Sequence, residues 1–375
     1  MYTINNLADL KNVFSSTKRF HLYGAGNQAS NFLSDLDSCG IAADIKDILV
    51  TSIAGNPPYL RDIPVIQCDK SVLDKDDWIF LTVNDTLKTK IISYLDGCGA
   101  TLVDAFPAIY HDVYNSIKPF IENFPNQLSH LNGSPIRHLG KVVWTCWWQG
   151  LDRAPQIVKS CWNSQRKNLP ADTRHIIITK DNYSDYITIP DYILTKFENG
   201  KNGLSYLADF IRSSLLYRYG GVWLDSTVLL LDTLPEECWT LPLYTCQFDA
   251  SHFFTKTIWM GWFLAAQQGS ILYQFVMEAF LYYFSKFEKI KYYLTIDYFI
   301  SICINEVPGV LEQFQQIPYN NATAFRLSSH LYEPYSKELF HEYCKDTFLQ
   351  KLSWRLNDSY SEESILHHII QGNLT

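Results

Sequence analysis

The sequence has no run of about twenty apolar residues, so no segment reads as a membrane-spanning helix. It has no block of Lys and Arg either. Its 31 basic side chains face 39 acidic ones, for a formal net charge of -8 and a pI of about 5.7. Nucleic acid is bound by a clustered positive surface, so no nucleic-acid partner is expected. The same deficit removes any general attraction to an anionic membrane. The opening Met1-Tyr2-Thr3-Ile4 lacks a basic segment followed by an apolar one, so no signal peptide is expected. Nine cysteines, an odd number, contain no Cys-x-x-Cys pair. That pattern fits reduced thiols in a cytoplasmic protein better than a disulfide frame or a zinc site. Apolar residues make up 47% of the chain and aromatic ones 15%, which is enough for sizeable folded cores. At 375 residues, two or three domains are expected.

The first part alternates strands and helices. Apolar runs at Arg19 to Tyr23, Ile45 to Thr51, Pro64 to Gln67, Trp78 to Thr82 and Thr101 to Asp104 read as strands. Helices are expected from Gly26 to about Cys39 and from about Leu87 to Leu95. This is the pattern of a small, doubly wound parallel sheet over residues 1–110. Gly24-x-Gly26-x-x-Ala29 matches the fingerprint of a phosphate-binding turn, yet no acid ends the second strand to hold a ribose. The turn is either an anion site or a tight strand-to-helix corner that needs glycine. Residues 111–138, punctuated by Pro119, Pro125, Gly133 and Pro135, read as a linker or bridging helix. A second domain follows over 139–375.

The most informative stretch runs from Ala208 to Thr227. Leu204, Leu207, Ile211 and Leu215 form a helical apolar stripe, and Asp209 and Arg212 lie on the opposite face, three apart. Gly220-Gly221 stops the helix. Val222-Trp223-Leu224 then carries Asp225 to a strand end, where open α/β sheets place their ligands. Two carboxylates and a guanidinium so arranged suit a polyol and a diphosphate.

Asp209-x-x-Arg212 followed by Tyr219-Gly220-Gly221-Val222-Trp223-Leu224-Asp225 resembles the DxD-type glycosyltransferases. These include yeast-type initiating mannosyltransferases, clostridial glucosylating toxins and, most of all, bacterial capsular polysaccharide synthesis proteins. The last group is also similar at Trp144 to Leu151, at Ile189 to Leu194, at Trp262 to Ala266, at Ile296-Asp297-Tyr298 and at Lys351-Leu352-Ser353-Trp354. The resemblance implies a GT-A-like domain after the Rossmann-like one. It implies that Trp147 and Gln149, leaving the first strand of that domain, hold the nucleotide. Trp147 is either such a stacking face or a core side chain. Asp209, Arg212 and Trp223 would hold the donor, with Asp225 as the first acid of DxD. Thr227 stands where the second acid belongs, which weakens the expected Mn or Mg site at Asp225. Lys351 would neutralise the leaving diphosphate, or is a solvated surface lysine. Asp297, set in an apolar run, either faces a polar cavity near the reacting carbon or caps a helix.

The implied activity is retaining transfer of a hexosyl unit from a nucleotide sugar, a UDP-sugar first, to a sugar hydroxyl. The acceptor would be a lipid-linked or oligosaccharide intermediate of capsule or surface polysaccharide. The aromatic stretch Phe275 to Ile304 either touches the inner face of a membrane or forms two core helices. A sugar-phosphate transferase and a non-catalytic nucleotide-sugar binder are the rival readings. The first would need basic residues grouped for a second phosphate, and the second is suggested by Thr227.

Overall fold

Short apolar runs separated by helical stretches give parallel strands, because each helix returns the chain to the same sheet edge. The computed structural model describes residues 1–127, 139–200, 202–248, 259–357 and 359–373. They group into two units. Among the described residues, the first comprises 1–127 and 282–306, and the second comprises the rest.

The first unit holds strands β1 (Tyr2–Thr3), β2 (Arg19–Tyr23), β3 (Ile45–Val50), β4 (Tyr59–Leu60), β5 (Ile63–Gln67), β6 (Asp77–Leu81) and β7 (Thr101–Asp104). Their order is β1-β7-β6-β2-β3-β5-β4. Every pair is parallel except β4 with β5. Helices α1 (Leu7–Phe14), α2 (Asn27–Ser38), α3 (Asp85–Tyr94) and α4 (Phe106–Gln127) complete the alternation. This is the Rossmann-like sheet that the strand pattern predicts. The Gly24 turn sits where the strand order reverses, between β2 and β6. Gly24 has φ +104°, and a Cβ there would lie 2.5 Å from Val83 Cγ1 and 3.1 Å from the Thr82 carbonyl oxygen. Close packing thus demands this glycine.

A polar network joins the central strands β2, β3 and β6 toward their amino ends. His21 Nδ1 lies 2.7 Å from Asp47, and its Nε2 lies 3.0 Å from Asp77. Arg19 forks onto Asp77 at 2.6 and 2.9 Å. Burial pushes the His21 pKa down, but the two carboxylates outweigh it and raise it above 6.5.

α4 covers much of the stretch expected as a linker, and 128–138 lie outside the described residues. Phe106, Ile109, Val113, Ile117, Phe120 and Phe124 recur three or four apart and are all buried. A returning helix, Thr295–Glu306, packs against α4. It buries Tyr298, Phe299 and Ile302.

The second unit contains β8 (Val142–Cys146), β9 (Arg174–Ile178), β10 (Gly221–Leu224), β11 (Val228–Leu230), β12 (Leu243–Thr245), β13 (Phe263–Ala266) and β14 (Leu349–Lys351). Five form one sheet in the order β12-β13-β10-β8-β9. β9, β8 and β10 run parallel, and β13 is antiparallel to both its neighbours. β11 and β14 form a separate antiparallel pair. The helices are α5 (Gln156–Asn168), α6 (Asp191–Glu198), α7 (Leu204–Tyr219), α8 (Glu237–Thr240), α9 (Ile271–Lys286), α11 (Val310–Gln315), α12 (Lys337–Tyr343) and α13 (Ile365–Gln371), with the returning helix of the first unit as α10. α9 begins in this unit, and its residues from Tyr282 onward group with the first. Phe275, Phe280 and Phe284 on α9 are fully buried, as core side chains are. No helix among the described residues is long and apolar enough to cross a membrane.

Candidate functional site

α7 ends where Gly220 and Gly221 take φ values of +67° and +90°. A Cβ on Gly220 would lie 2.6 Å from the Gln268 nitrogen, and one on Gly221 would lie 2.4 Å from the Val142 carbonyl oxygen. Both positions exclude any side chain. The turn lets β10 run beside β8, with Val222 paired to Val143 and Trp223 to Trp144. Asp225 follows immediately at the carboxyl end of β10.

Asp225 is held from several sides. Its backbone N–H donates to the Trp262 carbonyl at 2.9 Å, and its carbonyl accepts from the Val228 N–H at 3.0 Å. The Trp223 indole donates to Oδ1 at 2.9 Å. Arg212 Nη2 lies 3.7 Å from that oxygen and 3.1 Å from Asp209 Oδ1. Lys351 Nζ lies 3.5 Å from Oδ2 and also donates to the Thr227 hydroxyl. Asp209, Arg212, Asp225 and Lys351 therefore form an alternating row of charges in the second unit. Burial disfavours the Asp225 carboxylate, but Arg212 and then Lys351 outweigh it and hold its pKa below the usual range. Burial pushes the neighbouring Cys146 thiol up to about 12, so no thiolate stands here.

Helical periodicity put Asp209 and Arg212 on a face opposite the apolar stripe. The structure buries both faces of α7, leaving Asp209 and Arg212 only 7% and 8% exposed. Arg212 also donates to the Gly261 carbonyl, and its guanidinium lies 5.0 Å from the centre of the Trp223 ring. A Cβ on Gly261 would come within 3.2 Å of Arg212 Nη1, so that glycine makes room for the guanidinium.

Trp147 and Gln149 leave β8 on the same sheet edge as Asp225. Ser226 donates to the Cys146 carbonyl at 2.8 Å and ties the two strand ends together. Trp147 packs on an apolar cluster that includes Ile157, Cys161, Leu229 and Leu352. Its indole nitrogen is buried without a hydrogen-bond partner among the described residues. Trp354, 47% exposed, meets it edge-on at 6.0 Å. Gln149 lines a cavity of about 670 Å³ together with Trp148, Asp152, Lys180 and Glu198.

Asp297 is the other residue expected to be catalytic. It lies in the first turn of α10, in the first unit, where a carboxylate complements the helix dipole. The apolar run that surrounds it is the buried face of that helix.

The sequence reading missed Gln165. Its amide donates to the carbonyls of Val228 at 2.9 Å and Asp225 at 3.4 Å, bracing the turn that carries Thr227. A signal was present. Gln165 continues the apolar stripe of Val158, Cys161 and Trp162 on α5, and a fully buried Gln on such a stripe requires partners.

A divalent ion fits this site poorly. Among the described residues no three His, Cys, Asp or Glu side chains group as metal ligands. The one carboxylate at the strand end is already flanked by two cations, and the neighbouring oxygen is the neutral Thr227 hydroxyl.

The profile of the family described as capsular polysaccharide synthesis protein matches residues 106–369. A protein of Aspergillus fumigatus, named glycosyltransferase afumC, is 28% identical over 157 residues, covering 37% of this chain and 39% of that protein. The chain thus spans about two fifths of the length of that relative.

Proposed function

The chain belongs to the capsular polysaccharide synthesis protein family, and from that premise we propose that it is a glycosyltransferase acting at Asp225. The donor is a nucleotide sugar, a UDP-sugar first, and the acceptor is a sugar hydroxyl of a lipid-linked or oligosaccharide intermediate. The name of the fungal relative supports the same reaction class.

The observation that carries the reading is the alternating row Asp209, Arg212, Asp225, Lys351 at the carboxyl end of parallel strands. Carboxylates accept from sugar hydroxyls, and the cations between them face charge that develops on a departing diphosphate. Trp147 and Gln149, at the end of the adjacent strand, are the proposed nucleotide contacts. Trp223 holds the Asp225 carboxylate in place through its indole N–H.

Transfer with retention of configuration breaks the bond from the anomeric carbon to the phosphate oxygen and forms one to the acceptor oxygen on the same face. The acceptor proton passes to the departing phosphate. No paired nucleophile and acid of the glycosidase kind is then needed. Asp225 and Asp209 orient the sugar, and Arg212 and Lys351 stabilise the leaving charge.

The test is incubation with a panel of nucleotide sugars and an oligosaccharide acceptor, with the released nucleotide identified by chromatography. Nucleoside diphosphate is the expected product. Nucleoside monophosphate would mean sugar-phosphate transfer. Binding of donor with no release under any acceptor would mean a non-catalytic binder.

A further inference from the structure

We propose that the Lys351 ammonium does the work of a divalent ion, so that the chain binds the diphosphate of its donor without metal. The inference rests on the glycosyltransferase reading and specifies what neutralises the leaving group.

Lys351 is built into place. β14 pairs with β11 so that Lys351 lies opposite Val228. Its backbone N–H donates to the Ala324 carbonyl at 2.7 Å, and the next residue donates to the Thr227 carbonyl at 2.9 Å. The ammonium is therefore delivered by a strand ladder. Its side chain is 20% exposed, which leaves part of it open to a ligand.

The ammonium also occupies the ground a metal would need. It donates to the Thr227 hydroxyl, which is the second oxygen available at the turn. It faces Asp225 Oδ2 from 3.5 Å, while Trp223 and Arg212 face Oδ1. A dication entering here meets two positive groups within 4 Å of a single carboxylate, and like charges so close oppose it strongly.

Charge balance points the same way. A divalent ion between two carboxylates is neutral overall, and so is Asp225 with Lys351. Replacing one carboxylate by Thr227 and the ion by an ammonium leaves the field at the diphosphate with the same net charge. The ammonium has three N–H groups. Two of its contacts, 3.5 Å to Asp225 and 3.3 Å to the Leu352 carbonyl, are long for hydrogen bonds. A phosphate oxygen at shorter range can take the place of either contact.

Titration calorimetry of the full chain with uridine and guanosine diphosphates tests this, once in excess EDTA and once in saturating manganese. The better-bound nucleotide should show affinities within about threefold of each other in the two conditions. In EDTA, Lys351→Gln should weaken it at least about tenfold and Lys351→Arg much less, because the charge is kept. The double variant Thr227→Asp/Lys351→Gln should regain binding only with manganese. Tightening of about tenfold or more by manganese in the unaltered chain would overturn the proposal while leaving the glycosyltransferase reading intact. Absence of binding in both conditions would overturn both. The unaltered chain alone decides the matter, even if a variant fails to fold.

Discussion

Asp225 ends β10 with one oxygen toward Trp223 and Arg212 and the other toward Lys351. Asp225→Asn keeps the shape and removes the charge that both cations answer. Turnover is expected to fall at least about 100-fold, with little change in melting temperature. Equal turnover in a folded variant would remove Asp225 from the chemistry. A different residue makes the opposite case. Asp35 on α2 is 3% exposed, and burial drives its pKa up to about 8. One of its oxygens has no hydrogen-bond partner among the described residues. An acid whose folded pKa is raised loses its stabilising contribution as pH climbs from its ordinary value through the folded one. Near neutral pH the folded chain must therefore keep a proton that the unfolded chain releases. Asp35→Asn should stabilise the protein by roughly 1–3 kcal/mol at pH 7, read by denaturant unfolding. The gain should vanish in acid.

Among the elements, two strand histidines work in opposite directions. His21 on β2 has a pKa raised above 6.5, since Asp47 and Asp77 overcome the effect of burial. Its contribution is full below the ordinary histidine value and is lost as pH rises through the folded one. His175 on β9 is pushed down to about 4, by burial first and then by Arg166. The unfolded chain protonates it more readily, so its contribution is lost as pH falls from 6.5 toward that value. Hydrogen exchange on peptides of each unit, between about pH 4 and pH 9, should show the first unit loosening on the alkaline side and the second on the acid side. His175→Gln should flatten the acid slope alone. Strands such as β2, β3, β7 and β8 were legible because continuous apolar runs bounded by breakers leave little choice. So was the Gly220-Gly221 corner. The contact of Lys351 with Thr227 was not, because it joins residues 124 apart through two strands of three residues each. Asp297 left two readings open, because an acid in an apolar run reads the same at a cavity and in the first turn of a buried helix. The buried α7 defeated periodicity in another way. A helix covered all round keeps its polar residues inside, where only their partners reveal them.

For the whole molecule, the division into 1–110, 111–138 and 139–375 reads the chain as consecutive blocks. The structure groups 282–306 with 1–127. A cut at residue 110 therefore removes the sheet and leaves part of α4 with α10. Both helices carry buried apolar side chains, among them Val113, Ile117, Phe120, Tyr298 and Phe299, and keep only part of the unit that encloses them. Deleting 1–110 is expected to give aggregates on size-exclusion chromatography rather than a working transferase domain. A monodisperse, nucleotide-binding fragment would contradict this.

The return of 282–306 to the first unit also sets a clock during synthesis. The ribosome adds on the order of ten residues each second. Between the last residue of α4 and Tyr282 lie 154 positions, 128 through 281. For roughly ten to thirty seconds, then, the nascent sheet carries α4 without the helix that will pack against it. Its apolar stripe is open to chaperones during that interval. Slowing translation within 139–281 should lengthen the stage at which the first unit is vulnerable to protease, while faster synthesis through the same span should shorten it.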